Sequence, residues 1–113
     1  MADNCLFCKI VNGNIPADKL YEDDEVLAFR DISPQAPVHF LVIPKKHLSG
    51  PAAVDGENER LMGKIIRIGN EVANKEGIKQ YRLVFNNGAD AGQTVFHIHM
   101  HVLGGRSMNW PPG

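Results

Sequence analysis

The stretch Phe96-His97-Ile98-His99-Met100-His101-Val102 alternates imidazoles with large apolar side chains without a break. In an extended strand successive side chains point to opposite faces. Phe96, Ile98, Met100 and Val102 are therefore expected in a core, with three imidazoles along the other face at intervals of roughly 6.6 Å. One histidine on such a face is ordinary decoration; three in register beside a glycine-rich loop are a row of bases. Two chemistries use such a row. An HxH pair with a third ligand can hold zinc and leave a position open for an activated water. Alternatively, a neutral imidazole attacks phosphorus directly and forms a covalent intermediate. The second needs donors for phosphate oxygens, and Asn86, the loop Gly88-Ala89-Asp90-Ala91-Gly92-Gln93-Thr94 and His101 can supply them. Hydrolytic zinc sites commonly add a carboxylate or base beside the pair, and Asp90 is the one acid nearby. The balance favours nucleophilic catalysis.

Outside this stretch the chain divides into a few elements. Val95 to Leu103 is expected as the last strand and Tyr81 to Asn86 as the one before it. Glu57 to Glu76 carries Leu61, Met62, Ile65, Ile66, Gly69, Val72 and Ala73 at spacings of three and four, which marks an amphipathic helix stopped by Gly77. Gly63 and Gly69 each cost about 1 kcal/mol relative to Ala inside a helix, which points to close approach by another backbone. His39 to Ile43 is a central strand ended by Pro44 and entered from the two-proline loop Ser33-Pro34-Gln35-Ala36-Pro37. Lys19 to Glu22 and Glu25 to Arg30 form a hairpin about Asp23-Asp24. Asn4 is expected to cap a short helix over Cys5 to Val11, with Leu6, Phe7, Ile10 and Val11 apolar and Gly13 as its stop. The class is α+β, with no internal repeat.

A length of 113 residues asks for one domain, 1–113, and 43% hydrophobic with 22% charged residues is enough for a packed core. Twelve Lys and Arg against thirteen Asp and Glu give a net charge of -1, which offers no electrostatic footprint for nucleic acid. The longest apolar run, Phe40 to Pro44, is far too short to span a membrane. Met1-Ala2-Asp3-Asn4-Cys5 has no basic segment of the secretory type, so a cytoplasmic location is expected. In that compartment Cys5-x-x-Cys8 reads as a metal or redox pair rather than a structural disulfide.

HIHMHVLGGR at 97–106 resembles the signature of the histidine triad superfamily. With DISPQAPVHFLVIPKKH at 31–47, NNGADAGQTVFHIHMHVLGG at 86–105 and the terminal WPPG, the chain resembles the Hint branch, the purine nucleoside phosphoramidases, over nearly its whole length. The resemblance implies an antiparallel five-stranded sheet with a long helix and a short N-terminal one. It also implies a homodimer with a continuous ten-stranded sheet, and hydrolysis of the bond between a purine nucleoside monophosphate and an amine, with no catalytic metal required. By position, His99 would be the nucleophile and His101 would contact the phosphate. The carbonyl or ring of His97 would hold His99 in its attacking tautomer. Asp31 would meet the ribose hydroxyls, Phe29, Ile32 and Leu41 would surround the base, and His39 would lie near the phosphate end. Asn86, Gly92 and Thr94 would bind the phosphate or leaving group, with Thr94 standing where the family often has Ser. Phe29 and Leu41 read equally well as core, whereas for Asp31 and Asn86 a turn-forming role is the lesser alternative.

A bacterial subset of that branch completes a structural zinc site with two histidines, which here would be His47 and His97 beside Cys5 and Cys8. Four ligands make the closed set that structural zinc prefers. Two inert buried thiols are the plain alternative; a thioredoxin-like pair would need a preceding strand. Alternative functions are cleavage of dinucleoside polyphosphates, which the WPPG ending argues against, and a nucleotide-binding scaffold with vestigial catalysis.

Overall fold

Apolar residues at consecutive positions of β2 (Val26–Arg30) and β3 (Val38–Pro44) leave these strands no face for water, and both lie inside one sheet. The structure, a computed structural model, describes residues 4–113. With β1 (Lys19–Glu22), β4 (Tyr81–Val84) and β5 (Met100–Gly104) they form a five-stranded antiparallel sheet in the order β1-β2-β3-β5-β4. The β1-β2 hairpin closes where expected, because Asp23 Oδ1 accepts the amides of Glu25 and Val26, each at 2.8 Å.

The two faces of the sheet bury different partners. The long helix α2 (Glu59–Lys75) lays Ile65, Ile68, Val72 and Ala73 on Val26, Ala28, Phe40, Val42, Met100 and Val102. On the opposite face, the short helix α1 (Leu6–Val11) packs Phe7 and Ile10 on Leu27, Phe29, Leu41 and Ile43. Strand alternation divides neighbouring residues of β3 between these clusters. Lys64 of α2 also bridges Asp23 at 2.9 Å and Glu25 at 2.8 Å at the hairpin turn, a part-exposed pairing of small energetic weight.

Several expectations need correction. The cap of α1 is Cys5, whose Sγ accepts the Cys8 amide at 3.3 Å, so the helix starts at Leu6 and Asn4 lies one residue too early to reach. β4 ends at Val84 rather than Asn86. The last strand begins at Met100 rather than Val95, and Phe96 is 52% exposed instead of buried. The cause is the neighbour: β5 pairs with β3 as far as Met100 opposite Val42, and β3 itself ends at Pro44. Residues 95–97 therefore bend, and Ile98 donates its amide to the carbonyl of Leu48 at 2.6 Å. The glycines of α2 do not meet another backbone within the described residues. A Cβ at Gly69 would lie 2.5 Å from Met100 Cε, whereas Gly63 has nothing within 4 Å. Gly77 does end the helix region, at φ +81°.

No helix among the described residues is long and apolar enough to cross a membrane. The opening residues 1–3, on which the reading of the N-terminus partly rests, lie outside the described residues.

The two glycines predict opposite outcomes. Gly69→Val should cost about 1–3 kcal/mol by overpacking against Met100 and the strand side chains beneath. Gly63→Ala should instead stabilise by up to about 1 kcal/mol, the helix propensity difference at an open position. Urea unfolding of both variants measures the contrast, and equal effects would refute it.

Candidate active site and metal centre

β3 and β5 set the ring positions through their register. Leu41 lies opposite His101 and His39 opposite Leu103, so His39 and His101 are diagonal neighbours on one sheet face. Their rings meet with His39 Nε2 and His101 Nδ1 2.9 Å apart. The amide of Gln35, in the two-proline loop, donates to His39 Nδ1 at 3.0 Å. An accepting Nδ1 leaves the proton of the neutral ring on Nε2. That proton is shared between His101 Nδ1 and Asp31 Oδ2, the latter at 3.4 Å. His101, accepting at Nδ1, keeps its own proton on Nε2 and so remains a donor.

His99 has the opposite tautomer. Its Nδ1 lies 2.8 Å from the carbonyl of His97, which can only accept, so Nδ1 carries the proton and Nε2 presents a bare lone pair. The rings of His99 and His101 are 4.9 Å apart between centroids. A lone pair and a donor thus stand side by side. Burial lowers the pKa of His99, opposed by its bond to the His97 carbonyl. Burial, then the neighbouring rings of His99 and His39, lowers that of His101 to about 4. Burial also lowers that of His39, opposed by Asp31. All three shifts favour the neutral ring, the form in which an imidazole nitrogen keeps a lone pair.

His97 faces elsewhere. Its ring is fully buried, donates from Nε2 to the carbonyl of Pro44 at 2.8 Å, and turns Nδ1 toward the cysteine pair. Cys5 Sγ, Cys8 Sγ and His47 Nδ1 lie 3.3, 3.5 and 3.2 Å from that nitrogen, and Cys8 Sγ is 3.5 Å from His47 Nδ1. The edges of a tetrahedron whose metal bonds are 2.0–2.3 Å long measure about 3.3–3.8 Å, so these separations fit one tetrahedral cation. Cys5, Cys8, His47 and His97 could therefore bind a metal ion. The Nε2 bond to Pro44 fixes the ligating tautomer, as outer partners of metal-bound histidines do. Burial and the Cys5 thiol push the Cys8 thiol up to about 11, so loading a cation there would release a proton. Asp31, His39 and His101 also bring three donor atoms together. The Gln35 amide keeps a proton on His39 Nε2, which makes that trio a hydrogen-bonded relay.

The other expected residues divide. Phe29 and Leu41 are each 5% exposed and floor this face, while Ile32 is 98% exposed. Asp31 uses Oδ1 to accept the Ser33 amide at 2.7 Å, which leaves Oδ2 toward His39. Asn86 is half-buried beside Gly92, whose φ of +98° suits glycine, and Thr94 is exposed. The roles of two contributors escaped the sequence reading. Phe7 sets its ring edgewise against His99, His97 and Phe29 at 5.1, 5.9 and 5.4 Å. Its place inside Cys5-Leu6-Phe7-Cys8 was the available signal. Gln93 is buried and staples the glycine loop: Oε1 accepts the Gly88 amide at 2.8 Å, and Nε2 donates to Ser49 and Val95 carbonyls at 2.7 and 3.1 Å.

The chain belongs to the HIT domain family, whose model matches residues 12–108. It is 54% identical over 114 residues to an uncharacterized HIT-like protein of Synechocystis, covering 100% of each chain. The crystal structure of a HIT family hydrolase from Legionella pneumophila superposes with a TM-score of 0.94 at 52% identity, covering 97% of this chain and 100% of that one. A HIT family hydrolase from Clostridium thermocellum gives 0.93 at 46% identity, with 95% of each chain covered.

The depressed histidines carry a pH signature. Between about pH 6.5 and 4 the unfolded chain binds a proton at His101 that the folded chain refuses, so stability should fall as pH drops through that window. From pH 7 to 5 the loss assigned to His101 is about 1 kcal/mol, discounted for its partial contact with water. Urea midpoints of wild type and His101→Gln at both pH values test it; an identical pH dependence in the two would sink the assignment.

Proposed function

We propose that the chain is a nucleotide hydrolase that cleaves the P–N bond of purine nucleoside 5'-phosphoramidates through a nucleotidyl-histidine. The observation that carries the reading is the bare Nε2 of His99, locked by the 2.8 Å bond from its Nδ1 to the His97 carbonyl. The hydrolase description of relatives from Legionella and Clostridium supports the same class. In this reading His99 Nε2 attacks phosphorus while His101 Nε2 donates a hydrogen bond to a phosphate oxygen; the P–N bond breaks, and the amine leaves with the electron pair and takes a proton from solvent. Water then attacks the phosphorus of the nucleotidyl-His99, loses a proton to solvent and releases the nucleoside monophosphate, which restores the bare Nε2 of His99. The relay from His39 and Asp31 keeps His101 in its donor tautomer. The catalytic set is His99, His101, the carbonyl of His97 and the hydroxyl of Thr94; Asp31, Phe29, Ile32, His39, Leu41, Asn86 and Gly92 bind the nucleotide.

The same reading includes one structural zinc per chain on Cys5, Cys8, His47 and His97, supported by the donor separations. It includes a homodimer of single-domain chains joined into a ten-stranded sheet. Edge strand β4, with Leu83 exposed, and the tail, held by the Arg82 guanidinium donating to the Asn109 carbonyl at 2.8 Å and ending with Trp110 83% exposed, support that assembly. Cytoplasmic location belongs to the same proposal.

His99→Gly should reduce hydrolysis of a fluorogenic adenosine phosphoramidate by at least about a thousandfold while AMP still binds, because covalent catalysis needs the imidazole and binding does not. A variant retaining a tenth or more of wild-type turnover would remove His99 from the nucleophile role. Faster cleavage of a diadenosine polyphosphate than of the phosphoramidate would redirect the substrate assignment. Deleting Asn109–Gly113 should shift the preference among leaving amines more than the rate with the best substrate, measured as kcat/KM across an amine series. An unchanged profile would make the tail structural, and a monomer by light scattering at micromolar concentration would refute the dimer.

A further inference from the structure

The cysteine and histidine cluster and the ring of His99 share one peptide unit. The peptide joining His97 to Ile98 accepts the His99 Nδ1 proton at its carbonyl and donates its amide to the Leu48 carbonyl. No strand pairing fixes it, since β5 begins at Met100. Its remaining restraints lead back to the cluster by three routes. The ring of His97 is itself a member, and its far nitrogen is tied to Pro44, three residues before His47. Leu48, which holds the amide, is the next residue after His47. Phe7, between the two cysteines, stands edge-on to both His97 and His99.

Without a cation at its centre, the cluster is held only by weak thiol–imidazole hydrogen bonds, Cys5 with His97 and Cys8 with His47. Two thiols and the Nδ1 of His47 crowd the single lone pair of His97 Nδ1 within 3.2–3.5 Å, and one proton at a time can point at it. A tetrahedral cation gathers all four lone pairs at one point and restrains the Cys-x-x-Cys turn, the 47–48 segment and the His97 ring together.

We infer that His97 is a positioning residue, through which metal occupancy of the Cys5, Cys8, His47 and His97 cluster sets the orientation and tautomer of His99. The inference rests on the nucleophilic reading of His99 and adds a control to it. Metal status acts on the attacking step more than on the nucleotide-binding residues of β2 and β3, whose strand pairing holds them. A misplacement of the nucleophile by a fraction of an ångström to 1 Å lowers kcat by roughly tenfold to a hundredfold.

The experiment compares zinc-loaded wild type, chelator-stripped wild type and His47→Ala, which removes one exposed ligand and leaves the buried ring in place. Elemental analysis gives zinc content, and circular dichroism checks the fold. Long-range proton–nitrogen NMR reads the His99 tautomer, calorimetry gives AMP affinity, and phosphoramidate hydrolysis gives kcat and KM. Loss of zinc should convert the His99 signal from a pure Nδ1–H pattern to a tautomer mixture and lower kcat about tenfold or more. KM and the AMP Kd should stay within about threefold, and zinc should restore the stripped wild type. An unchanged tautomer with kcat within about twofold would overturn the inference, as would AMP affinity falling in parallel with kcat. Unfolding of both zinc-depleted proteins, or wild type that never holds zinc, would overturn it too. If loaded enzyme fails to hydrolyse phosphoramidates at all, the proposed reaction is wrong, while the His99 tautomer shift still decides the coupling.

Discussion

The carbonyl of His97 takes the Nδ1 proton of His99, and whatever fixes that carbonyl fixes the lone pair the second ring presents. Burying three polar rings on one short segment is costly unless every nitrogen finds a partner. Here no buried side-chain nitrogen or oxygen among the described residues lacks one. His97 turns to Pro44 and the thiols, His99 to the backbone behind it, and His101 to His39. Each bond selects one tautomer for the ring it touches. The chemistry offered by three identical side chains therefore differs because their acceptors and donors differ, with proton positions assigned before any substrate arrives.

The sheet makes that differentiation affordable. Val26, Phe40, Val42, Met100 and Val102 pack beneath α2 and supply a core that asks nothing of the histidines. Domains of this size have a limited margin of stability. Keeping the larger cluster on the side away from the rings lets the other face carry neutral imidazoles, half-buried acids and a thiol pair without dismantling the fold.

Much of this was legible in the residues. The alternation of Ile98 to Val102 located the buried and ring-bearing faces, the three-and-four spacing located α2, and Asp23-Asp24 located the hairpin turn. The error at Phe96 shows where local pattern stops: a strand needs a partner, and nothing in Val95 to His99 announces that β3 runs out at Pro44. The different bonding of the three histidines was legible only through the family resemblance, since the alternation alone makes them equivalent. It depends on which carbonyl or thiol each ring meets across 44 to 48 and 5 to 8, and those contacts are separated by up to 92 positions in the chain. Gln93 was read only as one donor of its loop and Phe7 only as an apolar helix residue, because the partners that give them their roles lie far along the chain.

The opposed clusters also bear on how freely this chain could be rewritten. β3 presents Phe40 and Val42 to α2, and Leu41 and Ile43 to α1 and the rings. Volume-conserving exchanges on the α2 side disturb packing alone, and cores absorb many of these. On the α1 side the same exchanges would move Phe7, and with it two imidazoles. In a saturation library, mutational tolerance along β3 should thus rise and fall with every second residue when selection is for turnover. Under selection for folding alone that period should fade, so the strand itself would record which demand had shaped each side.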